Sequence, residues 1–143
     1  MNELFLRNLS ISIYGGSHDP QIGLRLAGLP TGEPVNLAEL QAFLARRAPG
    51  SSRFGTTRRE ADIPEFHSGI TDGKTDGDLL EAIIRNTNQR SSDYPARPDV
   101  PRPSHADYAA LIKYGENADL RGGGHFSGRL TAPLCIVGPP TII

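Results

Sequence analysis

Residues 11–26 read ISIYGGSHDPQIGLRL and contain two alternating apolar runs joined by a glycine-rich segment. The apolar residues at every second position are Ile11 and Ile13 in the first run and Ile22, Leu24 and Leu26 in the second. A period of two is typical of strands with one buried face, so these runs predict two strands. The segment between them places Ser17, His18 and Asp19 at a strand-to-strand loop, where a rigid sheet can hold reactive side chains in place.

The flanking patterns predict further strands and helices. Asn36 followed by Glu39 is typical of a helix N-cap, and the apolar spacing after it predicts a helix that ends near residues 48–49. Residues 79–88, LLEAIIRNTN, fit a helix or a strand by pattern alone. We also predict an early strand containing Leu4 and Leu6, a short strand at 64–70, a turn at 71–78, a helix at 107–114 ending at Gly115, and a last helix beginning near Ser127.

Length, charge and cysteine content limit the class of protein. The chain has 143 residues, a formal net charge of −1 and one cysteine, Cys135. This length suits one domain, which we place at residues 1–143. The small net charge favours neither nucleic acid nor a membrane surface as partner, and a single cysteine excludes an intrachain disulfide. The N-terminus does not resemble a signal peptide, and no apolar run is long enough to span a membrane, so we expect a cytoplasmic protein.

A second group of chemistry-bearing residues lies at 102–129, RPSHADYAALIKYGENADLRGGGHFSGR. His105 precedes a predicted helix and is expected to project freely, whereas His125 follows three glycines that let backbone N–H groups approach a ligand. Ser127 and Arg129 begin the last predicted helix, where an anion would be stabilised. A basic patch that suggests a small anionic ligand consists of Arg46, Arg47, Arg53, Arg58 and Arg59.

Two hypotheses fit these residues. The first is an enzyme that acts on a phosphorylated, multiply anionic small molecule, with two histidines as acid and base and no metal. The second is a metal-dependent hydrolase with His18, Asp19, His105 and Asp107 as ligands. The second hypothesis gives no reason for the many arginines, and metal analysis of the purified protein would separate the two.

The same motifs resemble those of chorismate synthases over nearly the whole chain. Residues 14–32, YGGSHDPQIGLRLAGLPTG, are similar to the family's first signature, a GESHG core followed by an apolar stretch and a Gly-x-Pro-x-Gly turn. Residues 46–62, RRAPGSSRFGTTRREAD, resemble its RRxPGxSxxxTxRxExD segment. The segments NTNQRSSDY, RPSHADY, KYG and RGGGHFSGRLTA follow in the family's order, and the last resembles its GGGRSSARET signature.

Several positions depart from the family pattern. Gly16 and Asp19 replace the glutamate and the final glycine of GESHG, and Ser104 stands where glycine is common. In the second signature His125, Phe126 and Gly128 replace arginine, serine and alanine, so that Ser127 is the matching residue of the Arg-Ser-Ser run that contacts flavin.

The resemblance implies a lyase of the shikimate pathway of aromatic amino acid biosynthesis. Its reaction removes phosphate and a ring proton from 5-enolpyruvylshikimate-3-phosphate in an anti-1,4-elimination that gives chorismate. The family uses reduced FMN without net redox change, and NADPH is the reductant in a bifunctional enzyme or through a separate reductase. By the matching positions, His18 would protonate the departing phosphate and His105 would lie at the reduced flavin and supply its proton. Cofactor contacts are implied for Arg47, Arg53, His125, Phe126 and Ser127, and substrate contacts for Ser17, Arg46 and Arg129.

The resemblance also implies an α/β fold, an α+β sandwich whose helices are packed between antiparallel sheets, commonly assembled as a homotetramer. Under that fold residues 79–86, LLEAIIRN, are a strand rather than a helix. Family members are much longer than this chain, so we expect a fold that is incomplete at the C-terminus, with uncovered apolar faces. The alternative to a catalytic chain is a noncatalytic remnant that binds an anionic ligand or a complementary chain.

Overall fold

The computed structural model describes residues 2–48, 50, 60–87, 100–103 and 105–138. Within them the strands are β1 (Asn2–Phe5), β2 (Ser10–Gly15), β3 (Gln21–Ala27), β4 (Pro64–Ser68), β5 (Ile70–Thr71), β6 (Lys74–Thr75) and β7 (Leu80–Arg85). The helices are α1 (Leu37–Arg47), α2 (Asp107–Tyr114) and α3 (Thr131–Ile136), and 3₁₀ segments cover Gly115–Asn117, Arg121–Phe126 and Gly128–Leu130. In this part of the chain no helix has the length and apolarity needed to cross a membrane.

Five strands form one antiparallel sheet in the order β1-β2-β3-β7-β4, and β5 pairs with β6 in a small ribbon. Ile11 lies opposite Leu26 across β2 and β3, as the alternation of the two runs predicts. The ambiguous run at 79–88 contains strand β7, as the family resemblance implied. β7 lies between β3 and β4, and Ile83 is buried like its inward-facing neighbours, which hides the alternation that marks a strand.

The helices α1 and α3 cover the apolar face of the sheet. α1 begins as predicted, with Asn36 Oδ1 accepting a hydrogen bond of 3.1 Å from Glu39 N. Leu40 and Leu44 of α1 belong to the same buried cluster as Ile136 of α3 and the inward residues of β3. Burying each such side chain contributes about 1.5–3 kcal/mol to folding. The predicted α/β class, with helices packed on an antiparallel sheet, is confirmed.

Four chain segments meet at one end of the sheet. β2 ends there at Gly15 and β3 begins at Gln21, which pairs with Arg85 at the end of β7. β4 also begins at this end, because Pro64 pairs with Ile84 of β7. The loop after β2, the residues after β7 and the residues before β4 are therefore brought together, although they are far apart in the sequence.

Candidate active site

The loop after β2 is fastened to the sheet by Asn86, the residue that follows β7. The buried Asn86 side chain donates from Nδ2 to the carbonyl oxygens of Gly16, at 3.2 Å, and Asp19, at 2.8 Å. Its backbone N–H donates to Pro20 O at 3.0 Å. One residue thus fixes the loop that carries the first predicted catalytic histidine.

The glycine run, residues 122–124, approaches this loop from the other side. Its φ angles of +56°, +94° and +48° lie in the left-handed region that glycine tolerates. A Cβ on Gly122 would lie 2.5 Å from Nδ1 of His18, and a Cβ on Gly123 would lie 2.5 Å from Cε1 of His105. Two consecutive glycines therefore lie against the two predicted catalytic imidazoles, and a side chain at either position would displace a ring.

His18 is buried, with 5% of its surface exposed, and Ser17 holds its ring. Ser17 Oγ lies 3.1 Å from His18 Nδ1 and within 3.3 and 3.2 Å of the carbonyl oxygens of Arg121 and Gly122. Carbonyl oxygens only accept, so the single hydroxyl proton of Ser17 is donated to them and Nδ1–H of His18 donates to Ser17. Ser17, a predicted substrate contact, therefore also connects His18 to the glycine run.

His105 is exposed, but its ring is anchored rather than free to project. Its Nδ1 lies 3.1 Å from Oδ1 of Asp107, the first residue of α2. Asp107 is 1% exposed and accepts hydrogen bonds from the backbone N–H, Nε and Nη2 of Arg102. The bonds from Arg102 lower the pKa of Asp107 to about 2, so the partner of His105 is a carboxylate at neutral pH.

Two of the predicted arginines converge on the buried carboxylate of Asp62. Arg47 Nη1 lies 2.5 Å from Asp62 Oδ2, and Arg129 Nη1 contacts Asp62 Oδ1 as well as Glu60 Oε2, at 3.0 Å. Arg47 Nε also donates to Thr131 Oγ1 at 3.1 Å. These contacts join the end of α1, the residues before β4 and the start of α3. Two of the arginines predicted as ligand contacts are thus paired with buried acids inside the fold.

Arg129 keeps one donor group available. Its Nε donates to Asn86 Oδ1 at 2.9 Å, and its backbone N–H donates to Ser127 Oγ at 3.2 Å. The side chain is 9% exposed, and its Nη2 is buried without a hydrogen-bond partner among the described residues. A buried guanidinium nitrogen in this position suits an oxygen of a bound anion.

The structure describes one further predicted arginine, Arg46, away from these contacts with Asp62. Arg46 lies in the last turn of α1 and is exposed, with its guanidinium carbon 4.7 Å from the centre of the Phe43 ring. Arg53 lies outside the described residues. Of the adjacent pair 46–47, the second residue faces Asp62, and the roles predicted for Arg46 and Arg53 stay predictions.

An apolar cleft of about 340 Å³ lies beside the glycine run. Three predicted cofactor residues, His125, Phe126 and Ser127, line it together. The apolar side chains that complete its walls include Leu4, Ile11, Ile13, Leu130 and Leu134. His125 Nδ1 lies 3.2 Å from Gly15 O, so the cleft and the loop after β2 are in direct contact.

The alternative metal site does not assemble from its proposed ligands. Across the described ranges, no group of three or more His, Cys, Asp and Glu side chains is arranged to hold a metal ion. Asp107 is already occupied by Arg102 and His105. The residues that the metal hypothesis required are therefore divided between two separate hydrogen-bonded groups.

Three site residues, Asn86, Asp62 and Arg102, were not predicted. Each acts through a partner in another segment or through a buried ion pair, which no local pattern reveals. All three lie inside segments that carry the family resemblance, namely NTNQRSSDY, RRAPGSSRFGTTRREAD and RPSHADY. The family resemblance was therefore the signal in the sequence that could have identified these three residues.

Comparison with known proteins agrees with the geometry. The family model for chorismate synthase matches residues 9–140. The chain is 50% identical over 139 residues to the chorismate synthase of Lancefieldella parvula, covering 96% of this chain and 36% of the relative. It is 46% identical over 130 residues to that of Thermococcus kodakarensis, covering 91% and 36%.

A solved structure gives the same result at the level of the fold. A crystal structure of a chorismate synthase superimposes with a TM-score of 0.63 and 26% identity, covering 94% of this chain and 32% of the other. The chain spans about a third of the length of the curated relatives it matches, 36% in the first case. It belongs to the chorismate synthase family.

Proposed function

We propose that this chain provides the phosphate-elimination site of a chorismate synthase. The reaction is the anti-1,4-elimination of phosphate from 5-enolpyruvylshikimate-3-phosphate, with reduced FMN as cofactor. The observation that carries the proposal is the glycine run with an imidazole against each of two consecutive residues, His18 at Gly122 and His105 at Gly123. Two groups that can each hold a proton, placed at consecutive residues of one backbone segment, suit a reaction that loses both phosphate and a proton.

His18 is proposed to protonate the departing phosphate. Its Nδ1 is engaged by Ser17, so Nε2 is the nitrogen that transfers the proton. A protonated phosphate is a better leaving group than its dianion. The buried Nη2 of Arg129 supports a role as an anion clamp, and Arg46 is proposed to contribute to substrate binding from the end of α1.

The residues present fit reduced FMN. The apolar cleft beside the glycine run presents the flat side chains of His125 and Phe126, with Ser127 as a hydrogen-bonding group. These three residues would hold the cofactor, and His105 would exchange a proton at Nε2, beside Gly123. Reduced FMN, when bound, supplies electron density transiently and takes it back, which leaves no net redox change.

Further features of the family are proposed with the activity. Arg47 and Arg53 would contact NADPH or phosphate where a reductant is bound, and reduced flavin would come from the same protein or from a separate reductase. The protein would act in the cytoplasm as a homotetramer, with residues 1–143 as one domain or part of one.

A second candidate function is binding without catalysis, with an anionic ligand or a complementary chain as partner. Exposed apolar side chains favour it, since Phe5 is 74% and Leu4 50% exposed at the edge of the sheet. Leu134 and Phe126 are also partly exposed in the cleft.

Anaerobic turnover separates the two candidates. The chain is mixed with 5-enolpyruvylshikimate-3-phosphate and photoreduced FMN, and chorismate is measured by chromatography, with oxidised FMN as the control. Chorismate formation in the reduced sample alone is expected and would refute the noncatalytic candidate. FMN binding without chorismate formation would support the noncatalytic candidate and contradict catalysis by this chain.

A further inference from the structure

Arg102, Asp107 and His105 form a hydrogen-bonded series. It is unusual because the nearly fully buried Asp107 carboxylate holds the exposed His105 imidazole. Asp107 Oδ2 accepts from Arg102 N at 3.1 Å and from Arg102 Nε at 2.7 Å. Asp107 Oδ1 accepts from Arg102 Nη2 at 2.8 Å and lies 3.1 Å from His105 Nδ1. Four contacts thus fix both carboxylate oxygens, and the paired guanidinium geometry fixes the plane of the carboxylate.

Arg102 also connects this hydrogen-bonded series to the glycine run. Arg102 Nη2 also donates to Leu120 O at 3.0 Å, and Leu120 immediately precedes the 3₁₀ segment that contains the glycines. Asp107 is the first residue of α2, where a negative charge is stabilised by the helix dipole. The carboxylate is therefore held relative to both the helix and the segment that His105 contacts.

A carboxylate partner determines which nitrogen of His105 carries the proton in the neutral ring. An ionised carboxylate has no donor, so the hydrogen between Asp107 and His105 belongs to Nδ1. The other nitrogen, Nε2, then has its lone pair available and lies towards the glycine run, 2.8 Å from where a Cβ of Gly123 would be. The low pKa of Asp107, about 2 through its bonds from Arg102, keeps this arrangement unchanged across the working pH range.

We infer that Asp107 is a positioning residue that fixes the Nδ1–H form of His105, and that Arg102 holds Asp107 for this task. His105 then exchanges its proton at Nε2, on the side of the glycine run. The assignment of that exchange to catalysis rests on the proposed function, whereas the tautomer itself does not.

The tautomer is measured directly by nitrogen-15 NMR of the histidine side chains in the full chain. The His105 resonances are identified by their loss in His105→Ala. At a pH where the ring is neutral, the wild type is expected to show a protonated Nδ1 and an unprotonated Nε2. A predominantly Nε2–H ring in the wild type would overturn the inference without any need for a variant.

Substitution of the carboxylate adds a second test. Asp107→Asn can donate as well as accept, so the Nδ1–H preference of His105 should be lost, while Asp107→Glu should restore it in part. The matched control is Glu65→Gln, because Glu65 forms the same paired contact with Arg85, at 2.6 and 2.8 Å, away from His105. An unchanged tautomer in folded Asp107→Asn would overturn the inference, and if that variant does not fold, the wild-type spectrum decides.

Turnover gives a readout that separates this inference from the proposed function. Asp107→Asn should lower kcat roughly 10- to 100-fold with little change in KM, since it disturbs one proton-transfer group. Loss of the Nδ1–H form with unchanged kcat would overturn the positioning role. A wild-type chain that shows the Nδ1–H form but makes no chorismate would contradict the proposed function and leave the tautomer assignment supported.

Discussion

The imidazole region and the arginine region of this site differ in how their charged groups are used. His18 and His105 each have a hydrogen-bond partner at Nδ1 and lie against glycine backbone. Arg47 and Arg129 instead each direct Nη1 to the buried carboxylate of Asp62. The two histidines thus lie along the glycine run. Two of the arginines predicted as ligand contacts, Arg47 and Arg129, connect α1, the residues before β4 and the start of α3.

The difference shows that a cluster of charge in a sequence does not by itself indicate a charged surface. The basic patch at residues 46–59 precedes Glu60 and Asp62, and in the fold Asp62 pairs with Arg47 of the patch while Glu60 pairs with Arg129. A buried ion pair also carries a desolvation cost, so its presence indicates a geometric requirement more than a gain in stability. Arg129 combines an internal ion pair with a nitrogen suited to a bound anion, because its Nη2 stays available.

The largest expected effect is on the imidazole side. His105→Ala should reduce chorismate formation by about 10²- to 10⁴-fold, the usual contribution of a positioned acid or base, and leave the melting temperature nearly unchanged because the ring is exposed. Turnover and thermal unfolding are measured on the same samples. The control is His67→Ala, which removes an exposed histidine from β4, far from the glycine run along the chain. Equal turnover in the two variants would show that His105 has no part in the reaction.

On the arginine side the expected effect is on stability. Asp62→Asn leaves Arg47 and Arg129 without their shared carboxylate and should lower the free energy of unfolding by about 3–5 kcal/mol, as measured by urea titration. Glu65→Gln is the comparison, since it removes an exposed pair with Arg85 and should cost less than about 1 kcal/mol. Similar losses in both variants would show that Asp62 is not the buried connection described above.

A smaller effect is expected where the glycine run meets His105. Gly123→Ala and Gly32→Ala place alanine at nearly the same angle, φ +94° and +90°, so both carry a backbone cost of about 1–3 kcal/mol. At Gly123 alone the new Cβ would also displace the His105 ring, since nothing lies within 4 Å of the corresponding position at Gly32. The Hε1 chemical shift of His105 should therefore change in the first variant and stay constant in the second. A constant shift in both would contradict the contact.

The smallest expected effect is the response to acid. The pKa of Asp107 is lowered from 3.8 to about 2 in the fold, so its contribution is fully present above pH 4 and is lost as pH falls through 2. The wild type should lose up to about 2 kcal/mol more stability than Asp107→Asn over this range. Urea titrations of both proteins at pH 5 and pH 2.5 measure the difference. Parallel losses would show that the carboxylate is not held as described.

Local sequence patterns predict the parts of the fold that local forces determine. The alternation of Ile11, Ile13, Ile22, Leu24 and Leu26 predicts β2 and β3, and Asn36 marks the start of α1. The pattern of β7 left helix and strand open, because Ile83, on the second face of this central strand, is apolar and buried and interrupts the alternation. The pairing of β7 with β3 and β4, which is a property of the whole sheet, determines that this segment is a strand.

The site divides in the same way. His18 stands out in the sequence after two glycines and His105 before a predicted helix, and the structure brings both to the glycine run. No sequence pattern around Asn86 or Asp62 identifies them as site residues. Their importance depends on carbonyl oxygens and arginines that are close only in the fold. Long-range hydrogen bonds of this kind become predictable from a family motif, not from the residue itself.

The central claim is that consecutive glycines separate the two imidazoles, and nuclear Overhauser contacts test it without any ligand or turnover. The nearest atom of each ring to the glycine run is Cε1. The account predicts cross-peaks from His18 Hε1 to the Hα protons of Gly122 and from His105 Hε1 to those of Gly123. Absence of both cross-peaks in the folded chain, with the resonances of all four residues assigned, would contradict it.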